Sequence, residues 1–293
     1  MGKVFLARPI PEVGIEILKN KGFEIVDSIT EADAMLSGLP DKLDKAFFDT
    51  APATLKIIAN YAVGYNNIDL DAAKAHNILI TNTPDVLTEA VAEHAIALVL
   101  SIARRIPEAD QHIRTGEWKE SWAWDFMLGM ELKGKTLGIL GPGRIGSRVA
   151  EMAGAFGMKA ITCGPNDDPD VFLPQCDIVS IHVPLLDSTR HMINADRLAK
   201  MKPTAYLVNT SRGPVIDEAA LIEALKAKTI AGAALDVFET EPLMSSELFF
   251  LDNVVMTPHI ASATLEARTN MAIVAATNII EALEGRTPPN LVK

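Results

Sequence analysis

Short runs rich in β-branched and aliphatic residues alternate with helical patterns along nearly the whole chain, and that alternation restricts the fold more than any other feature. A parallel neighbour is reached only by crossing over one face of a sheet, so strands separated by helices build parallel sheets from βα units. In the first third the strand-like runs are residues 4–7, 23–26, 34–37, 56–59 and 78–81, with helical stretches such as 11–21 and 69–76 between them. Five such strands predict a small flavodoxin-like sheet. A long helical pattern follows over 88–106, opened by Thr88 as N-cap with Glu89 behind it, and Pro107 is expected to stop it. After a segment holding Trp118, Trp122 and Trp124, a second series of strands is predicted at 137–140, 160–163, 178–182, 205–209, 231–235 and 254–257. A closing helix is expected over 265–284.

The fold class that follows is α/β: a Rossmann-type, doubly wound parallel sheet plus a smaller flavodoxin-like domain. Because one long helix leads into the second series and another leads out, the tail is expected to return to the first domain. The expected division is 1–98 with 285–293 for the smaller, substrate-binding domain and 99–284 for the nucleotide-binding domain.

The first motif of the second series carries chemistry. Gly141-Pro142-Gly143-Arg144-Ile145-Gly146 sets G-x-G-x-x-G directly after an apolar strand and before a helical pattern. Gly141 permits a tight turn, Gly143 leaves room for a pyrophosphate, and Gly146 allows close helix–strand packing. Backbone N–H groups of Arg144, Ile145 and Gly146 then face the phosphates at a helix start, although Pro142 lacks one. The usual next mark is an acid at the end of the second strand, for the adenosine ribose hydroxyls. Gly164 stands there instead, so the standard basis for preferring NAD is absent. No Arg or Lys follows to hold a 2′-phosphate, and Asp167, Asp168 and Asp170 would repel one. That charge argument favours NAD, with NADP left open.

Ligands of open α/β sheets bind beyond the carboxyl ends of the strands. Three polar residues lie just past such ends: Arg212, Glu241 and His259. Reduction of a 2-keto acid needs a cation to grip the carboxylate and polarise the ketone, which Arg does bidentately. It needs a proton donor titrating near neutrality, which is His, and a carboxylate that orients the protonated ring. Singly, each residue is an ordinary loop or surface residue; three complementary groups at successive strand ends are not. The remaining histidines, His94 and His191 among them, have no such context.

Totals narrow the partners. A net charge of −11 argues against nucleic acid, which needs a concentrated basic face. Cys163 and Cys176 form no CxxC and no metal-ligand cluster, so a disulfide framework and a metal site are not expected, and a reducing cytoplasm fits. The apolar start is too short for a secretory signal. The longest apolar region, 90–103, is broken by Glu93 and His94 and falls short of the ~20 residues of a membrane span.

These motifs resemble the D-isomer-specific 2-hydroxyacid dehydrogenase family over nearly the whole chain. The matching segments are 63–69, the 141–146 turn, His182-Val183-Pro184-Leu185, 209–213, 236–242 and 257–264. Gly116-Glu117-Trp118 and the ending Pro288-Pro289-Asn290-Leu291-Val292 look most like the glyoxylate/hydroxypyruvate reductase branch. The resemblance implies that Arg212 binds and polarises substrate, His259 is the acid/base, and Glu241 pairs with His259. Glu239 is set aside because the family's carboxylate immediately precedes the proline. It further implies that the N–H groups of Val63 and Gly64 cradle the substrate carboxylate, with Ser262 nearby. Asp236 would contact the nicotinamide amide, and Val183, Pro184, Thr210 and Ser211 would line the dinucleotide. A homodimer is implied too, with Trp122 or Trp124 closing the partner's site.

The sequence departs from the family between Gly164 and Cys176, which is about twenty residues shorter than the resemblance leads one to expect, room for a helix and an edge strand. The doubly wound sheet is therefore expected to be shortened at one edge, with weak or unselective cofactor binding and the catalytic set retained. Two other functions stay open: a 3-phosphoglycerate dehydrogenase-like enzyme, and a non-catalytic dinucleotide-sensing protein.

Overall fold

The computed structural model describes residues 2–119 and 121–292. In chain order its elements are β1 (Lys3–Leu6), α1 (Glu12–Asn20), β2 (Glu24–Val26), β3 (Ala34–Ser37), α2 (Lys45–Thr50), β4 (Ile57–Asn60), α3 (Leu70–Ala75) and β5 (Leu79–Thr81). There follow α4 (Thr88–Ala103), α5 (Ile106–Arg114), β6 (Thr136–Leu140), α6 (Arg144–Ala155), β7 (Lys159–Cys163), α7 (Pro169–Phe172) and β8 (Ile178–Ile181). The last are α8 (Ala195–Leu198), β9 (Tyr206–Asn209), α9 (Glu218–Lys226), β10 (Gly232–Leu235), β11 (Val254–Met256) and α10 (Leu265–Leu283).

The chain divides into two units, one running to Leu87 and resuming at Ala263, the other Thr88–Ser262. The first holds a parallel sheet of order β2-β1-β3-β4-β5. Successive residues of its strands alternate between two cores, as the strand period of two requires. Ala34, Leu36, Ile57 and Ala59 enter the core shared with Ala275, Ala276, Ile279 and Ile280 of α10. Met35, Ile58 and Ile80 enter the opposite one with Phe48, Ala72 and Ala73. Burial on both faces explains why these strands read as continuous apolar runs.

The second unit holds a parallel sheet of order β11-β10-β9-β8-β6-β7. Leu137, Ile139, Ile178, Val208 and Ala234 pack on α4, while Leu140, Val179, Ile181, Leu207, Ala233 and Leu235 face the other side. Strand β7 is one edge of the sheet, with Lys159, Ala160 and Thr162 exposed. The connection from β7 to β8 is only α7 and a 3-10 turn, Leu173–Gln175. This is the shortened edge the sequence leads one to expect. The abbreviated crossover lies tight on the sheet: a Cβ on Gly138 of β6 would stand 2.3 Å from Cys176 Sγ and 2.7 Å from Phe172 Cζ.

Two details differ from the sequence reading. The helix expected over 88–106 ends at Ala103, because Arg105 adopts a left-handed φ of 53°. Pro107 then stops nothing; it sits in the first turn of α5, where its missing N–H costs no bond. The unit boundaries fall at 87/88 and 262/263, ahead of the expected 98/99 and 284/285. All of α4 belongs with the second sheet and α10 covers the first. Periodicity reveals an apolar helix face, but not which sheet it covers.

Candidate active site

At the end of β6 the chain turns through Gly141, whose φ of 94° favours glycine. A Cβ there would also meet the His182 carbonyl carbon at 2.8 Å. Gly146 lies against the same turn, its would-be Cβ 2.4 Å from Gly141 O, so α6 can start directly beside β6 only with glycine at that position. Gly143 is different: a Cβ there would meet nothing within 4 Å, so the space beside it is open to a ligand. Gly143 caps α6 without a side-chain bond, leaving helix-start N–H groups available to an anion. Across the sheet, the hydroxyl of Thr210 at the end of β9 is buried and has no hydrogen-bond partner among the described residues. An open cradle, an uncapped helix start and an orphaned hydroxyl fit a bound dinucleotide.

Beyond β9, Asn209 organises the next turn. Its Oδ1 accepts from Ser211 N at 3.0 Å and Ser211 Oγ at 2.9 Å, while its Nδ2 donates to Arg212 O at 2.9 Å. Arg212 donates to Ser211 O at 2.7 Å. Burial lowers the guanidinium from its ordinary pKa while Glu241 works to raise it, and an arginine so shifted stays cationic at neutral pH. Gly213 brings this turn onto the next one: a Cβ would lie 1.8 Å from the Phe238 carbonyl carbon.

The loop after β10 carries Glu241. Its Oε1 accepts from Phe238 N at 3.0 Å and its Oε2 lies 2.6 Å from His259 Nδ1. Burial alone would raise the Glu241 pKa. The hydrogen bond and charge of His259, the Phe238 N–H and the nearby Arg212 outweigh it and hold the carboxyl below its ordinary value. Glu241 is thus the carboxylate on His259, whereas Glu239 is hydrogen-bonded to His191.

His259 follows β11 with a left-handed φ of 53°. What fixes that conformation is Asp236, whose side chain is fully buried. Asp236 O accepts from His259 N at 2.9 Å, Oδ1 from Ile260 N at 2.9 Å and Thr257 Oγ1 at 2.6 Å, and Oδ2 from Ala261 N at 2.8 Å. His94 Nε2 completes the cluster, 3.4 Å from Asp236 Oδ1 and 3.1 Å from Thr257 Oγ1. Burial alone would raise the Asp236 pKa, but these hydrogen bonds hold it down. Asp236, the residue that the resemblance sets against the nicotinamide amide, is enclosed here and holds the His259 loop. Sequence reasoning gave His94 no role, and only the fold brings it to Asp236.

His182 bonds Ser180 Oγ at 2.8 Å, and burial pulls its pKa down to about 4, so it is neutral near pH 7. Val183 touches the Gly141 turn, and Pro184 O accepts from Thr189 Oγ1 at 2.7 Å. Ser262 is half-buried beside Ala261. In the first unit, Val63 O accepts from Asn82 Nδ2 at 2.8 Å and Gly64 O from Asn60 Nδ2 at 2.9 Å. Those bonds fix the loop by its carbonyls and leave its Val63 and Gly64 N–H groups unbonded among the described residues. No cluster of metal-ligating side chains occurs among the described residues.

Residues 96–261 match the family model for the D-isomer specific 2-hydroxyacid dehydrogenase NAD binding domain. A glyoxylate reductase of Thermofilum pendens is 48% identical over 319 residues, covering 99% of this chain and 94% of that protein. That match is longer than the 293 residues of this chain, so it opens gaps in it. Among solved structures, a protein of Thermus thermophilus gives a TM-score of 0.94 at 38% identity, covering 99% of this chain and 100% of that one. The NADPH-dependent glyoxylate/hydroxypyruvate reductase of Sinorhizobium meliloti, solved with NADP and malonate, gives 0.88 at 33%, covering 99% and 96%. Fold and site define a nucleotide-linked oxidoreductase. The chain belongs to the D-isomer-specific 2-hydroxyacid dehydrogenase family.

Proposed function

We propose that the protein reduces a small 2-keto acid, glyoxylate or hydroxypyruvate, to the 2-hydroxy acid, using NADH or NADPH. The observation that carries this reading is the His259–Glu241 hydrogen bond of 2.6 Å, in the same unit as the uncapped Gly-rich turn. The substrate range takes its support from the relatives' names.

In this reading Gly141, Gly143, Arg144, Ile145 and Gly146 hold the dinucleotide phosphates, with Gly164, Val183, Pro184, Thr210 and Ser211 along its length. The bound nucleotide supplies a hydride to the carbonyl carbon. Arg212 grips the substrate carboxylate and draws electron density from the carbonyl. His259 holds its Nδ1 proton against Glu241, so Nε2 is the atom that delivers a proton to the carbonyl oxygen as the C–H bond forms. Glu241 stabilises the protonated ring by charge, and Asp236 sets the loop that aims it. The resemblance further assigns the N–H groups of Val63 and Gly64, and the Ser262 hydroxyl, to the substrate carboxylate.

Charge favours NAD, since Asp167, Asp168 and Asp170 follow β7. A homodimer is the proposed assembly, with Trp122 or Trp124, both exposed, available to a partner's site. No described helix is long and apolar enough to cross a membrane, and a cytoplasmic location suits the two free, buried cysteines.

NADH and NADPH oxidation, followed with glyoxylate, hydroxypyruvate and pyruvate, tests the reading. Turnover on glyoxylate or hydroxypyruvate is expected. Dinucleotide binding without turnover on any keto acid would favour a sensing protein, and efficient oxidation of 3-phosphoglycerate would favour the other dehydrogenase.

A further inference from the structure

A Rossmann site discriminates NAD from NADP at the end of its second strand, where a carboxylate accepts hydrogen bonds from the adenosine ribose diol and repels a 2′-phosphate. That strand is β7, and the residue beyond it is Gly164, which has no side chain. The backbone turns back immediately. Asp167 N donates to Gly164 O at 3.2 Å, and Asp167 Oδ2 accepts from Gly164 N at 2.7 Å. The carboxylate therefore lies over the strand end: a Cβ built on Gly164 would stand 3.5 Å from Asp167 Oδ2. The same Cβ would be 3.9 Å from Pro142 Cγ of the Gly-rich turn, and Gly141 N donates to Cys163 O at 2.9 Å. The turn and the carboxylate thus share one corner of the sheet.

We propose that Asp167 is the residue that selects NAD over NADP, its carboxylate reaching from three positions downstream to where an acid at position 164 would reach. The inference rests on the dinucleotide reading of the Gly-rich turn.

The neighbouring acids are committed elsewhere. Asp168 caps α7, its Oδ1 accepting from Asp170 N at 2.9 Å. Asp170 is held by Arg197 at 3.0 Å and Lys200 at 2.5 Å, which also occupies those two cations. Asp167 is exposed and makes no ion pair among the described residues. One of its oxygens takes the Gly164 N–H, and a carboxylate has lone pairs to spare for two hydroxyls. A 2′-phosphate would bring about −1.5 to −2 charges against it. Affinity and selectivity then separate. The missing edge strand weakens binding of either dinucleotide, while Asp167 sets the ratio between them.

The test is titration of the full-length protein with NADH, NADPH, ADP-ribose and 2′-phospho-ADP-ribose, by calorimetry or tryptophan fluorescence. The wild type is expected to prefer the ligand without the 2′-phosphate in both pairs. Asp167→Ala should lose about tenfold in affinity for NADH and ADP-ribose without losing affinity for the phosphorylated ligands. Asp167→Asn keeps an acceptor for Gly164 N but not the charge, and should bind NADPH more tightly than wild type does. Gly164→Asp added to Asp167→Ala should restore the preference, since the added Cβ meets only ordinary contacts. Unchanged selectivity in Asp167→Ala, or an equal loss for all four ligands, overturns the proposal and leaves the dinucleotide site standing. Failure of the wild type to bind any of the four overturns the dinucleotide reading itself, and the proposal with it.

Discussion

His259 Nδ1 stands 2.6 Å from Glu241 Oε2, although the two residues come from loops after different strands. The contact fixes which ring nitrogen faces the carboxylate and which is left for chemistry. It also makes the pair sensitive to three loops at once, because Gly213 presses the Arg212 turn against Phe238 and Asp236 holds the His259 turn from behind.

Glu241 has a depressed pKa relative to its ordinary 4.5, so its ionised form stabilises the fold. A carboxyl of this kind contributes stability above its ordinary value and loses it as pH falls through the folded value. Urea denaturation of wild type and Glu241→Gln should therefore differ most at neutral pH, with the gap closing below 4.5. A gap independent of pH would mean that the charge of Glu241 does not stabilise the folded state.

Arg212→Lys keeps the charge but loses the planar fork. The KM for keto acid should rise and kcat fall, with kcat/KM down by about 10²–10³-fold, while dinucleotide affinity changes little. A change confined to dinucleotide affinity would move Arg212 out of the substrate's reach.

Gly213→Ala should displace the Phe238–Glu239 backbone, since the new methyl would sit 1.8 Å from the Phe238 carbonyl carbon. Overpacking of this sort costs about 1–3 kcal/mol, and misplacing Glu241 by an ångström should cost about a hundredfold in kcat. Denaturation and steady-state kinetics on the folded fraction measure both. Wild-type kinetics would show that the two loops move independently.

Thr257→Val removes the hydroxyl that bonds Asp236 Oδ1 and approaches His94. A loss of about 1–3 kcal/mol of stability is expected, with kcat reduced more than either KM. Thr257→Ser should recover both, and equal behaviour of Val and Ser would contradict the bond's role.

The strands were legible in the sequence because parallel strands buried on both faces are continuous apolar runs, and β3 was expected over the residues it occupies. The Gly-rich turn was legible because two of its glycines are forced by contact: Gly141 and Gly146 have backbone or side-chain atoms within 3 Å of a Cβ, while Gly143 leaves open space. Less visible was anything set by distant residues. His94 reaches Thr257 across 163 positions, and nothing local to α4 signals it. Pro107 misled because a proline opening one helix and a proline ending another look alike until Arg105 is seen in the left-handed region. Position 164 showed only that an acid was missing; that Asp167 doubles back over it is a property of the turn.

In the proposed reaction His259 delivers the proton, a role tested by the turnover of His259→Ala with glyoxylate or hydroxypyruvate at neutral pH. Turnover should fall by about 10²–10⁴-fold, with NADH affinity by titration close to that of wild type. Near-normal turnover in that variant would remove His259 from the acid role.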